Sequence, residues 1–491
     1  MNLKLVDFGS ICPLLVLCVT AFVVLIVDLF LDENEKYLNG LISLLGFSVA
    51  LGWLYWVRDY QVITFGGFYI MDMLSIYFGI LFCLIGGVTV LLSFNYIKIE
   101  GVNKGEFYVL LLFATAGMMI LSSAGNLVML FLGLETMSIP VYVLAGFRRN
   151  RPEGVESAMK YFLVGAFAAG FLLYGIALIY AAAGTFDIAA IAAFEPASIV
   201  NQKLFLLGIG FVIIGVGFKV SAVPFHMWTP DVYQGAPTPV TAYMSVGVKA
   251  AGFAAFIRLF YVAFANELFS VDWRMVIYVL SIVTMTLGNV VALTQTNLKR
   301  MLAYSSIAHA GYLLAALVPG TIEAGAGILF YLVAYAIMNL GAFGCIVLTS
   351  WKGREGDDLK DFRGMGWEKP VMGVVLTIFL LSLAGIPPTA GFLGKFYVFA
   401  AIIKAKYYWL AVIGILNSVV AVYYYLRVIL AMYMEPAEVT VHPDDRSIFA
   451  RGPFVAASLL ASAALTLVLG LWPQYIYVAA LRTIGHILPK I

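Results

Sequence analysis

The stretch FKVSAVPFHMWTPDVYQGAPTPVTAYMSVGVKAAG, residues 218–252, decides how the chain is read. An apolar run reaches Lys219 and meets Pro224 five residues later, and a second apolar run then extends over 237–265 around Lys249. Proline removes a backbone donor and clashes with the carbonyl four residues back, so the first run breaks at Pro224. A lysine sits on each side of that break, in surroundings where a charge is expensive.

The composition says what those surroundings are. Of 491 residues, 63% are hydrophobic and only 11% charged, and the mean hydropathy is +0.98. Soluble domains carry about a quarter charged residues, so a soluble enzyme is excluded, as is a disordered chain, which lacks apolar mass. With 29 Lys+Arg against 27 Asp+Glu the net charge is +2, too small for a nucleic-acid binder. A spanning helix needs about 20 mostly apolar residues. Apolar windows fall at 11–31, 38–57, 72–93, 107–122, 126–146, 161–183, 204–223, 237–265, 274–294, 302–319, 325–349, 371–403, 407–434 and 454–473. The first is too long for a signal peptide and has no cleavage site before Asp28, so it is expected to be retained. The alternation of a β-barrel is absent. The predicted class is an all-α polytopic membrane protein with about fourteen transmembrane helices.

Basic loop residues concentrate on one side, including Lys98, Lys104, Arg148, Arg149, Arg151, Lys299, Arg300, Lys352, Arg354, Arg446 and Arg451. The opposite side has fewer, among them Lys4, Arg58, Lys203, Arg274 and Lys490. The first side is therefore expected to be cytoplasmic, with both termini on the other. The longest loop, around 350–370, leaves no room for a soluble catalytic domain.

Charges inside the spans cost about 2.5–3.5 kcal/mol each on insertion scales. Glu135 follows 107–134 without any acidic or basic residue, and its short side chain cannot reach an interface. Lys249 lies well inside its run, whereas Lys219 and Lys395 could snorkel outward along a continuous helix. Pro387-Pro388 in LAGIPPTAGFLGKF repeats the break near Lys395, and two interrupted helices in corresponding positions are a transporter pattern. Ordinary proline kinks are the plainer reading. Burial disfavours the charged form of a lysine or a carboxylate, and an opposite charge restores it. A separable pair is thus a proton switch, and Glu135 with Lys219 is proposed as one, with Lys249 and Lys395 as further stations. His309 in YSSIAHAGYLL is a further candidate. His226 in VPFHMW is a weaker one, because a lone histidine in a span is commonly a packed residue. Arg258 and Arg427 are expected to snorkel, and Arg148-Arg149-Asn150-Arg151 to act as an orientation signal.

Other chemistry is missing. Cys12, Cys18, Cys83 and Cys345 lie singly, without a CxxC, so no disulfide framework, iron–sulfur cluster or zinc site is expected. No GxGxxG, Walker A loop, HExxH or nucleophile elbow occurs. The chain must be energised by an ion gradient or by a partner.

The segments LGLETMSIPVYVLAGF (132–147), 218–252 as quoted above, TQTNLKRMLAYSSIAHAGYLLAAL (294–317) and AGIPPTAGFLGKFYVF (384–399) resemble the antiporter-like membrane subunits of respiratory complex I. The likeness covers about 126–400. It implies two inverted five-helix repeats with broken seventh and twelfth helices. The implied division is 1–106 for helices 1–3, 107–265 for helices 4–8, 274–434 for helices 9–13, and 454–491 for the last helix. It assigns the family's fifth-helix glutamate to Glu135 and the lysines of its seventh, eighth and twelfth helices to Lys219, Lys249 and Lys395. His309 is placed beside them in the relay. Lys395 departs from the branch with a glutamate there, and Lys249 from the branch with a histidine, which also continues into a long lateral helix for which no residues are expected here. The implied function is proton translocation in the membrane arm of NADH:quinone oxidoreductase. NADH, FMN, iron–sulfur clusters and quinone are expected in partner subunits, with no cofactor or metal bound by this chain. The implied surroundings are neighbouring membrane-arm subunits and the lipid of the cell inner membrane, with no nucleic acid. The alternatives are a subunit of a monovalent cation/proton antiporter complex and a spacer that no longer pumps.

Overall fold

The structure, a computed structural model, describes residues 2–3, 6–194, 201–350, 356–436 and 452–488. Lys4, Lys352, Arg354, Arg446, Arg451 and Lys490, used above for orientation, lie outside the described residues. Helices dominate. The first half holds α1 Phe8–Asp28, α2 Tyr37–Trp56, α3 Met73–Ile99, α4 Gly105–Ser122, α5 Leu127–Ala145 and α6 Pro152–Ala183. It continues through the short α7 Ile188–Ala192, then α8 Gln202–Val220, the short α9 Thr229–Gly235 and α10 Thr238–Ala263. The second half holds α11 Glu267–Ala292, α12 Leu298–Leu317, α13 Ile322–Thr349, α14 Pro370–Ala384, α15 Ala390–Lys404, α16 Tyr408–Met434, α17 Pro453–Leu471 and α18 Gln474–Ile487.

Among the described residues, 12 helices are long and apolar enough to cross a membrane. The predicted run 302–319 corresponds to α12, which is not one of them; Lys299, Arg300 and the polar Ser305, Ser306 and His309 dilute its hydropathy. The predicted run 371–403 is two helices, α14 and α15, each too short to count as a span because the chain breaks between Gly385 and Thr389. The run predicted from 161 begins at Pro152, a residue preorganised for a first helical turn. Beyond the last predicted span, α18 was not anticipated. Ala480, Thr483 and Ile484 turn inward there, while Tyr475 and Val478 are exposed. A three-stranded sheet, β1 Asn2–Leu3, β2 Val62–Thr64 and β3 Tyr69–Met71, was also too short to read from sequence.

Burial sorts the helices into an interior and a rim. The most hydrophobic window of α10 is 94% buried and that of α13 is 89%, against 33% for α1 and for α6. Lipid and core are equally apolar, so helices in a membrane associate by close packing. A Cβ on Gly117 of α4 would run into the Met137 backbone of α5, and a Cβ on Gly288 of α11 would run into the Ala308 backbone of α12. The two pairs hold the same place in the two halves. A backbone ladder recurs with them. The amides of Leu127 and Ile188 donate to Phe186 and Gly125, at 2.9 and 3.1 Å. In the second half Leu298 and Leu359 donate to Asp357 and Thr296, at 2.6 and 2.9 Å. Asn126 and Asn297 then cap α5 and α12 in the same way, through the amides of Met129 and Arg300.

Gly117→Val should therefore wedge α4 from α5 and destabilise the chain by about 1–3 kcal/mol. A melting temperature in detergent equal to that of the unaltered protein would show that the contact is not tight.

Candidate functional site

The break after α8 is built from local backbone chemistry. Lys219 lies in the last turn, and Ser221 closes the helix in the left-handed conformation, φ 63°, with its amide directed at Gly217 and Phe218. The freed Phe218 carbonyl also accepts from the Trp228 indole at 3.3 Å, and Thr229 donates to Ser221 Oγ at 2.8 Å. Side chains beyond the break thus serve the end of the helix before it, as a membrane interior requires. Lys219 is 1% exposed and its Nζ donates to Tyr142 Oη at 2.9 Å. The rings of Tyr142, Phe218 and Tyr161 surround the ammonium at 5.0, 5.2 and 5.7 Å, which partly replaces its hydration.

Glu135, on α5, is half-buried, and its Oε1 is buried without a hydrogen-bond partner. The field of Lys219 reaches it. The two are neighbours and not a contact pair: the ammonium is held by a tyrosine and the carboxylate is unengaged.

Lys249 projects from α10 where a π-helical turn, Met244–Val248, returns to α-helix. π-turns interrupt the regular hydrogen-bond ladder and are frequent at functional sites. Its Nζ donates to Ser306 twice, to the carbonyl at 2.6 Å and to Oγ at 2.7 Å. Gly252, one turn on, lies against Val220 and Lys219, so α8 and α10 meet face to face at the first break. Three residues beyond Ser306 stands His309, 1% exposed, with Nδ1 2.6 Å from Tyr331 Oη and Nε2 3.2 Å from Tyr425 Oη. Tyr425 also bonds Ser305. On α12 it lies three residues after Ser306, which Lys249 binds, and three before Tyr312, whose ring is 5.4 Å from the Lys395 ammonium, so it stands between the two lysines.

At the second break the lysine itself serves the helix end. Lys395, on α15, donates to the last carbonyls of α14, Leu383 at 3.0 Å and Ala384 at 2.9 Å, and to Ser418 Oγ at 2.8 Å. Gly385 terminates α14 at φ 87°, a conformation that a side chain would strain. A cation at a helix C-terminus meets the negative end of its dipole. The arrangement suits proton transfer: the three lysines and His309 are buried, and each bonds a hydroxyl group of a neighbouring helix.

The family described as NADH:quinone oxidoreductase/Mrp antiporter, TM, matches residues 124–421, which hold the row Glu135, Lys219, Lys249, His309 and Lys395. The chain belongs to that family. It is 45% identical over 96% of both chains to a protein of Trichlorobacter lovleyi called NADH-quinone oxidoreductase subunit N. Its fold is similar, at a TM-score of 0.80 and 35% identity over 95% of this chain and 99% of the other, to a chain of respiratory complex I from Thermus thermophilus with bound aureothin. A chain of an Mrp complex from a Dietzia species, 22% identical over 99% of this chain and 98% of that one, shares the fold at a TM-score of 0.81.

Several expectations change at this point. Arg258 does not snorkel: it is 3% exposed and clamps Asp72, the N-cap of α3, at 2.5 and 3.0 Å, while donating to the Ser122 carbonyl at 2.7 Å. Arg427, partly buried, reaches a neighbouring helix end as expected of a residue near the interface. It donates to the carbonyls of Leu293, at 2.8 Å, and Gln295, just past the end of α11. Arg148 is more than an orientation signal. It is buried, pairs with Glu100 at 3.5 Å and donates to Gly235 at 2.9 Å, and Lys299 donates to Ala236 at 2.8 Å. Two buried cations therefore close the end of α9. His226 stands apart from the row, buried with its Nδ1 unpartnered. The partners Tyr142, Ser306, Tyr331, Tyr425 and Ser418 were not anticipated. Two carried a signal: Tyr142 lies two helical turns from Glu135, and the Ser305-Ser306 pair is a polar patch one turn from His309.

Outside the spans, Asp231 of α9 binds Lys160 and Arg300, each at 2.6 Å. Burial pushes its carboxyl up, but these hydrogen bonds outweigh burial and hold it below the usual carboxylate range. Its stabilisation is complete above the ordinary value and is lost as pH falls toward the lowered one. Asp231→Asn should therefore flatten the fall in melting temperature below about pH 4. An unchanged acid limb would count against the assignment. Separately, Arg258→Ala strands a buried carboxylate and should cost about 3–5 kcal/mol, read as lost thermal stability in detergent.

Proposed function

We propose that the chain acts as the subunit N type of membrane-arm subunit in a proton-pumping NADH:quinone oxidoreductase, and that Glu135, Lys219, Lys249, His309 and Lys395 carry the proton. The relatives called subunit N match this chain over nearly their whole length. One geometric feature carries the mechanistic part of the reading: His309 lies on α12 between Ser306, bound by Lys249, and Tyr312, beside Lys395, and bridges Tyr331 and Tyr425 through its two ring nitrogens. An imidazole accepts at one nitrogen and donates at the other, so it passes a proton without rotating out of its site.

In this reading the unengaged carboxylate of Glu135 and the tyrosine-held ammonium of Lys219 are the open state of a pair that closes and separates. Closure favours both charges, and separation releases a proton from Lys219 toward Lys249. Moving each charge against the membrane potential costs about 2.3 kcal/mol per 100 mV. The free energy comes from electron transfer in partner subunits, which hold the NADH, flavin, iron–sulfur and quinone sites, while this chain holds none. The recurrent Gly117 and Gly288 contacts and the recurrent ladders at 125–127/186–188 and 296–298/357–359 support a division into repeats at 107–265 and 274–434, followed by the terminal segment 454–491. The three helices before residue 107 precede them. The basic loops support placement in the cell inner membrane with both termini periplasmic. A pumping role also explains why buried charges persist here, which a passive spacer does not.

Lys249→Ala in the assembled complex should lower NADH-driven proton uptake into vesicles by about tenfold or more. His309→Ala should do the same while Tyr425→Phe has a smaller effect, because serine and water can replace a hydroxyl but not an imidazole. Undiminished pumping in Lys249→Ala or in Glu135→Gln, at normal assembly, overturns the relay.

A further inference from the structure

A cleft of about 1100 Å³ opens at the ends of α3, α4 and α5, on the side that carries most of the basic loop residues. It is separate from the buried row. Its lining divides by chemistry. Leu25, Val109, Leu110, Val143 and Phe147 form apolar walls continuous with the membrane-spanning faces of α1, α4 and α5. The rim carries Lys98, Lys104, Arg148, Arg149 and Arg151 against the carboxylates of Glu100 and Glu106. Glu100 is already engaged by Arg148, at 3.5 Å, and by Arg151, at 3.0 Å. Lys98, Lys104 and Arg149 are exposed, and among the described residues their side chains meet no carboxylate. The rim thus has a cationic surplus beside walls that water does not solvate.

We propose that the cleft is a binding site for one anionic phospholipid. The phosphate diester sits among Lys98, Lys104 and Arg149, and the acyl chains run down the wall made by Val109, Val143 and Leu25. Guanidinium and ammonium groups match phosphate oxygens in charge and hydrogen bonding, and basic pockets between spanning helices on the cytoplasmic side select anionic head groups. A free phosphate shares the first contact and has no use for the second. The Glu100 pairs fix Arg148 and Arg151 in place, so the cleft's shape does not depend on the ligand.

The test uses the assembled complex in nanodiscs containing photoactivatable phosphatidylglycerol, with photoactivatable phosphatidylcholine as the neutral comparison. The proposal expects crosslinks from phosphatidylglycerol to peptides within 98–110 and 143–151, at least about tenfold weaker when Lys98, Lys104 and Arg149 are all changed to Ala. Labelling should be restored by Lys98→Arg, Lys104→Arg and Arg149→Lys together, and unaffected by 10 mM-scale inorganic phosphate or by Lys203→Ala on the opposite face. Equal labelling by phosphatidylcholine would overturn the proposal in favour of an unselective lipid shell. Displacement by inorganic phosphate would overturn it in favour of a small-anion site, and crosslinks from the same peptides to a neighbouring subunit would show a protein contact instead.

Discussion

A helix that stops inside hydrocarbon leaves carbonyl groups with no water to accept from, and every such group must find a donor within the protein. At the second break that donor is the ammonium of Lys395, which meets the Leu383 and Ala384 carbonyls. At the first break it is the Trp228 indole, together with the backbone turn at Ser221. Cations also meet carbonyls where helices end nearer the loops, Arg148 and Lys299 at the end of α9 and Arg427 beyond α11. Cations in this bundle are placed largely where helices end.

That placement unites stability with function. A lysine held only by carbonyls and a serine has no neutralising carboxylate, so its protonation responds to whatever charge comes near. Lys395 and Lys249 are held in this way, and both act on His309. Other cations are paired with carboxylates, among them Arg258 with Asp72 and Arg148 with Glu100, and these pairs tie helices together. The molecule separates cations that are locked by carboxylates from cations that can change state.

Packing glycines and cap ladders recur in the two halves, yet the two breaks differ in detail. Lys219 lies on the helix that ends, while Lys395 lies on the helix that begins. Lys219 therefore meets aromatic rings and a tyrosine hydroxyl, and Lys395 meets helix carbonyls. In the proposed relay the two lysines would therefore differ in proton affinity.

The amino-acid order alone determined the solvent of the fold, the breaks at Pro224 and Pro387, and the ionisable groups stranded in apolar runs, because hydropathy, proline geometry and charge are local properties of the chain. The helix count differs because the run 302–319 folds into α12, which is too polar to count as a span, and the run 371–403 into α14 and α15, which are too short. Where the side chains of Arg258 and Arg148 go was not legible, since snorkelling and burial differ only in whether a distant carboxylate or carbonyl arrives to receive the charge. Only the tertiary structure decided that. It also set Ser306, Tyr331 and Tyr425 around Lys249 and His309, because contacts between helices far apart in sequence depend on which faces pack and leave no periodic mark on the chain.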